Sequence, residues 1–479
     1  MRRVVAWLCS HPLTAGFLVL IGCAVGTHLF ANWRAEVRWQ RYCTEARARG
    51  VKLTLAEFAP PEIPDAENFA ALPMMRATYT GGAQAAFGLP RSSGGERPYY
   101  NYAKGERIDF QVWAKFFLNA GFISETTDSP PRDVLLALDH YAPQFKEWSE
   151  WRSRPHCQFP IRLDASGMIS TPNFGTFSNA SQVFILRMRA HLASGDSPAA
   201  LADFEDALQT YRAFENPPTL IAAVLRMGLL SLLCSQVGES LVDPAWSETE
   251  LRQIQADLTA VNAGKDFSEG FAAERVSENL LFESLVRSPA ERSKVGAVLF
   301  SASWQTKACR LIPGRVFRDN QLRQNQYLDE QLAKLSGDEL YFDPDHQGPA
   351  HPDKLNGVLD DCYFCIFKLF AEAIGGMSEQ SVRLQTRLNQ TRIAIALERF
   401  RLARGAYPET LAELVPEFIA AVPVETYSRQ PMIYRRQEGG TFFLYGVGKD
   451  RKDDGGAVDP KLHEKKQLDD IWLYAPPAR

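Results

Sequence analysis

Residues 177–214, FSNASQVFILRMRAHLASGDSPAALADFEDALQTYRAF, decide the fold class. Apolar side chains return every three or four positions on both sides of Ser194-Gly195-Asp196, the interval that gathers them on one face of an α-helix. In the second segment Ala200, Phe204 and Ala207 follow at +4 and +3. Small residues there let two helices approach closely while Phe204 fills the groove between them. The stretch reads as a helical hairpin.

The same period extends outward over about 108–405. Ile108–Asn119 carries Val112, Trp113, Phe116 and Phe117 at helical spacing, and a second helix begins near Ser129-Pro130-Pro131 and carries Val134, Leu135, Leu138, Tyr141 and Phe145. Residues 155–176 read as loop with a short strand. Helices are predicted at 177–215, 217–241, 247–262 and 266–287, then shorter ones to about 336, then at 353–375 and 379–405. Strand-type alternation is nearly absent, which makes this an all-α unit. Its opening hairpin resembles a tetratricopeptide hairpin through Ala200, Phe204 and Ala207, but the segment around Cys234 lacks the recurrence that a repeat array needs. The resemblance implies stacked hairpins, not a peptide-binding array.

Toward the N-terminus, Leu13 to Ala31 (LTAGFLVLIGCAVGTHLFA) contains no Asp, Glu, Lys or Arg. At about 1.5 Å per residue this run nearly spans a hydrocarbon core of about 30 Å. Trp33 beside Arg34 suits the membrane interface. The expectation is a single membrane anchor. A cleaved signal peptide and a buried helix are the alternatives, and Leu20-Ile21-Gly22-Cys23 also resembles a bacterial lipobox. Arg2 and Arg3 precede the run, but Arg34, Arg38, Arg41, Arg47, Arg49 and Lys52 follow it, so the positive-inside rule leaves the side open. Residues 32–50 read as a continuing helix stopped by Gly50. Prolines 60, 61 and 64 break the chain, Asp65 is expected to cap a short helix to about Arg76, and 81–98 reads as a surface loop.

The C-terminal segment differs. After Gly405 comes a short helix between Tyr407-Pro408 and Pro423, then two strand-like runs, Met432–Arg436 and Thr441–Val447, that read as a hairpin. An acidic loop, GKDRKDDGGAVDP, leads to Asp469-Asp470-Ile471-Trp472. The helix Ala396 to Arg404, Gly405-Ala406-Tyr407-Pro408, Pro431-Met432-Ile433-Tyr434, Leu444-Tyr445-Gly446-Val447-Gly448-Lys449-Asp450 and Asp470-Ile471-Trp472 occur in an order that resembles the C-terminal half of type II secretion major pseudopilins. The N-terminus lacks that family's cut-site Gly-Phe junction and acidic residue, and a long helical insert separates the two ends, so the resemblance covers one domain. It implies a calcium ion at Asp450 and Asp470, with Asp459 a rival for the second place and Asp453, Asp454 and Asp469 as further contributors. A solvated acidic turn is the alternative. The whole layout also resembles a group of membrane-anchored proteins from planctomycete and verrucomicrobial bacteria, which implies no activity.

The predicted class is mainly α: an anchor at 1–31, a juxtamembrane helix and loop-rich linker at 32–106, an all-α domain at 107–380 and a small pseudopilin-like α+β domain with a short antiparallel sheet at 381–479. With 479 residues, 45% of them hydrophobic and 23% charged, the chain has ample apolar surface for two or three folded units. A net charge of -4 argues against nucleic acid as a partner. Eight cysteines in this length are no disulfide framework and leave the redox compartment open. Cys362-Tyr363-Phe364-Cys365 lies in an apolar helical pattern without a second pair for zinc, and Asp343, Asp345, His346, His351 and Asp353 share a Pro/Gly loop without rigid placement. His140 and His191 read as surface or satisfied core residues, and the glutamates of the helices as solvated faces. No catalytic motif appears. The expected role is a non-enzymatic, single-pass envelope protein of the bacterial inner membrane, its body periplasmic and partnered by the membrane and by envelope proteins. A secretion or pilus-type assembly factor and an envelope enzyme with a dispersed site are the alternatives.

Overall fold

The computed structural model describes residues 12–80, 86–90, 98, 107–163, 169–170, 172–216, 219–242, 245–299, 307, 309–334, 360, 363–437, 440–453 and 455–456. Helix α1 (Pro12–Ala48) carries the apolar run straight into the body. No Gly or Pro interrupts it after Gly26, and it ends at Gly50, whose φ of 78° suits glycine. Its N-terminal half exposes Phe17, Leu20, Val25 and Leu29, as a candidate membrane span would. Past Trp33 one face turns inward: Ala35, Trp39, Tyr42, Cys43 and Ala46 are buried at helical spacing.

Short elements follow: α2 (Leu55–Phe58), a 3-10 turn at Phe69–Ala71, and α3 (Pro73–Thr80). Asn68, not Asp65, caps the turn by accepting from the Ala70 amide, while Asp65 pairs with Arg76 at 2.5 Å. The helix expected after Ser129 divides into α5 (Pro130–Leu138) and α6 (Ala142–Trp148) with a 3-10 turn between; α4 (Phe110–Asn119) precedes them, capped by Asp109. Strands β1 (Arg162–Leu163) and β2 (Ile169–Ser170) form a minimal antiparallel pair. The hairpin of α7 (Phe174–Ala193) and α8 (Ser197–Arg212) then buries Ala200, Phe204 and Ala207 as its spacing requires. Phe87, Trp148, Phe177, Phe184 and Phe214 join this core, in tilted and edge-on contacts favourable to aromatic rings.

The second half stacks α9 (Leu220–Val242), α10 (Glu248–Thr259), α11 (Ala263–Arg287), α12 (Pro289–Leu299), α13 (Gly314–Lys334) and α14 (Cys365–Arg404). Helix α9 is also long and apolar enough to cross a membrane, but it is mostly buried and packs on α11 and α14. Gly270 permits the α9–α11 approach, since a Cβ there would lie 2.8 Å from that of Ala223. Gly270→Ala is therefore expected to cost about 1–3 kcal/mol by overpacking. Urea unfolding of the full chain in detergent, followed by circular dichroism, measures this.

The two helices expected at 353–375 and 379–405 are joined from Cys365 onward into one helix of 40 residues. Gly375 does not break it. It faces the Tyr327 hydroxyl, which would lie 2.9 Å from a Cβ, so the small residue makes room for a neighbour. At the C-terminus, β3 (Ile433–Gln437) and β4 (Thr441–Tyr445) form the expected hairpin, with Ile433 opposite Tyr445. It packs on the end of α14 through Leu397, Leu414, Phe418, Met432 and Leu444. The short helix expected after Tyr407-Pro408 is a 3-10 turn, Leu411–Leu414, opened by a Thr410/Glu413 capping box.

Candidate functional site

The structure concentrates its polar chemistry where α1, α11 and α13 meet. On α13 the positions facing inward, Phe317, Gln321, Gln324, Asn325, Leu328 and Gln331, have the spacing of a core face, but most are amides. Opposite them α11 presents Arg275, Glu278 and Asn279, all buried. Buried polar groups need partners, and most of these find one another, while Nε and Nη2 of Arg275 and Oε1 of Gln324 are buried without a hydrogen-bond partner among the described residues. The Asn325 amide donates to Asn279 Oδ1 at 2.8 Å, and Gln321 donates to the same oxygen at 3.1 Å. Asn279 in turn donates to the Leu53 carbonyl at 3.3 Å, reaching the chain just beyond α1.

Arg275 joins all three helices. Its Nη1 lies 2.7 Å from Asp329 Oδ1 and donates to the Tyr42 hydroxyl at 3.1 Å, while that hydroxyl donates to Asp329 Oδ2 at 3.0 Å. Arg49 completes the cluster at 2.6 Å from Asp329. About two to three turns nearer the apolar run, Arg318 pairs with Glu283 of α11 and lies 2.9 Å from Glu36 of α1. On an adjoining face Arg38 bonds Asp319 at 2.7 Å, and Asp319 also accepts from Tyr363. The continuation of the apolar helix is thus held to the body by charged and amide contacts along its length.

Glu278 is the most strongly perturbed carboxyl in this seam. Both of its oxygens accept from Gln324 Nε2, at 3.0 and 2.9 Å. Burial first, then the charge of Glu274 one turn away, raise its pKa well above the carboxylate range, against the opposing pull of Gln324 and Arg275. Burial raises Glu274 too. Gln324 Oε1, on the other arm of the same amide, is buried with no hydrogen-bond partner among the described residues. Burial among packed helices thus disfavours the charged form of Glu274 and Glu278.

A second feature lies at the end of the seam nearest the apolar run. His28, Asn32 and Glu36 of α1, with Val286, Arg292, Leu311 to Arg315, and Arg318, line a cavity of about 470 Å³.

The carboxylates expected at the ion site are placed only in part. Asp450 is exposed and accepts from the Lys452 amide at 3.1 Å, an Asx-type turn. Asp453 is exposed and accepts from the Tyr445 hydroxyl and the Gly455 amide, both at 2.8 Å; these bonds, the tyrosine's first, hold its pKa low. Asp454, Asp459, Asp469 and Asp470 lie outside the described residues. Among the described residues no three of His, Cys, Asp and Glu gather as metal ligands. Calcium rests on the resemblance. Cys365 is exposed, whereas Cys362 and the loop from Asp343 to Asp353 lie outside the described residues. His140 is exposed with its ring tilted against that of Phe122, centroids 4.6 Å apart, and half-buried His191 lies 3.8 Å from Asp203.

The glutamates read as solvated faces need correction, for Glu239, Glu250, Glu278 and Glu398 are buried in α9, α10, α11 and α14. The signal that could have revealed the seam is the core-type spacing of amides on α13, together with Glu274 and Glu278 four residues apart. Comparison with family models, with curated proteins and with solved structures gives no match for this chain.

Proposed function

We propose that the chain is a non-enzymatic, single-pass membrane-anchored scaffold of a bacterial envelope, in which α1 is both the span and a fixed part of the body. The observation that carries this reading is the seam. A helix that leaves an apolar run without a break is then gripped by Tyr42, Arg49, Arg275, Arg318 and Asp329. A flexible tether would need none of these contacts.

The seam also bears on sidedness. Arg38, Arg47 and Arg49, three of the basic residues that follow the apolar run, pair with Asp319, Glu57 and Asp329. Their presence has a structural reason, which favours an exported body over a cytoplasmic one. In this reading α14 presents the C-terminal hairpin away from the seam, and the pseudopilin resemblance adds a calcium ion at Asp450 and its neighbours.

The test joins alkaline phosphatase or green fluorescent protein to the C-terminus in a bacterial host. Phosphatase activity, absent fluorescence and an uncleaved chain in the membrane fraction are expected. A fluorescent fusion would sink the exported placement, and a shortened chain in the soluble fraction would sink the anchor.

A further inference from the structure

The cavity at the membrane end of α1 has the chemistry of a lipid headgroup site. Its polar wall begins within the apolar run: His28, Asn32 and Glu36 recur every four residues on one face of α1, and Asn32 Nδ2 lies 3.0 Å from His28 Nε2. The facing wall carries Arg292, Arg315 and Arg318. Arg318 is matched by Glu36 and Glu283. Arg292 donates to the carbonyls of Leu285, Val286 and Ile312, at 2.6, 2.8 and 2.8 Å, so it fixes the loop yet has no carboxylate partner among the described residues. The half-buried side chain of Arg315 acts electrostatically on Tyr363 but has no hydrogen-bond or ion-pair partner among the described residues, although its amide donates to Asn32 Oδ1 at 3.3 Å. Three guanidinium groups and one carboxylate, Glu36, line the cavity, which leaves it positively charged.

Position selects the anion. The cavity opens at the level where the apolar run gives way to Asn32 and Trp33, so in a bilayer it lies at the headgroups. Beside it Leu311 is 84% exposed, and on α1 Val25, Leu29 and Phe30 are exposed too, apolar surface for acyl chains to follow. We propose that this cavity binds the phosphate of one anionic phospholipid, with Arg315 as its principal ligand and the acyl chains against α1 and Leu311. The proposal rests on α1 being a membrane span.

The full-length protein in non-ionic detergent, offered equal phosphatidylglycerol and phosphatidylcholine, is read by native mass spectrometry. One phosphatidylglycerol per chain should be retained in preference to phosphatidylcholine. Loss of a charge-assisted contact in Arg315→Glu should weaken retention about tenfold or more, and the milder Arg315→Gln should weaken it in the same direction with an unchanged melting curve. Arg310→Glu, the same charge change at an exposed neighbour outside the cavity wall, should leave it intact. Equal retention of both lipids, equal loss in the Arg310 and Arg315 variants, or displacement by inorganic phosphate would overturn the proposal. Flotation with phosphatidylcholine vesicles separates the two levels: a chain that does not float overturns the span and this site together, whereas one that floats without lipid preference overturns this site alone.

Discussion

Replacing Arg275 by alanine is expected to destabilise the full chain by about 1.5–3 kcal/mol, the range for losing a hydrogen bond to a charged group that keeps a second partner, Arg49. Arg275 is fully buried, and its loss leaves Asp329 facing Tyr42 and Arg49 with its buried cationic partner gone. The hydroxyl of Tyr42 loses a donor as well. Urea unfolding in detergent measures the loss, and the partner substitution Asp329→Asn gives the control. If the groups act as one cluster, the double variant Arg275→Ala/Asp329→Asn loses much less than the sum of the two single changes. Additive losses, or a loss in Arg275→Ala under about 1 kcal/mol, would mean that the seam does not couple the helices. Loosening is also expected to release α1 from the body, which spin labels at exposed positions on α1 and α13 would report as a broadened distance distribution.

The second large effect concerns Glu278 and has the opposite sign. Burial and the nearby Glu274 raise its folded pKa above the unfolded carboxyl value, so between those two values the native state binds more protons than the unfolded chain. Its contribution is complete below the unfolded value near 4.5 and is lost as pH rises through the folded value. Glu278→Gln removes that dependence. A glutamine there can still accept from Gln324 Nε2. The variant should therefore be more stable than the wild type by on the order of 1–3 kcal/mol near pH 8, with little difference near pH 4. Asp203 and Asp266, raised to about 7 chiefly by burial, are common to both proteins and cancel in the comparison. Parallel stability curves for the two proteins across that range would remove Glu278 from the account.

Local patterns made the helices legible. The apolar run, Gly50 and the Ser194-Gly195-Asp196 turn act over a few residues, and so does the C-terminal hairpin. The seam was not legible for the same physical reason. Asn279 and Asn325 are 46 positions apart, and Arg275 and Tyr42 are 233 apart. A run such as RDNQLRQNQ has the composition of a solvated helix, and only a partner helix with complementary amides and carboxyls makes it a core face. Gly375 misled in a related way: glycine signals a break when read alone, but here it accommodates Tyr327. As for the acidic loop, Asp450 and Asp453 turn to donors of their own segment, while the remaining carboxylates fall outside the described residues.

The unbroken course of α1 has a mechanical consequence. Its apolar run, about 28 Å long at 1.5 Å per residue, is slightly short for an average bilayer and better suited to a thin one. A helix answers such a mismatch by changing its tilt or by deforming the lipid around it. A hinge at the membrane surface would absorb the change, but from Thr27 to Ala48 there is neither glycine nor proline, and the far half is clamped. The body must lean with the helix. With α1 as the proposed span, bilayer thickness thereby sets the inclination of the whole body and the height at which the C-terminal hairpin is carried.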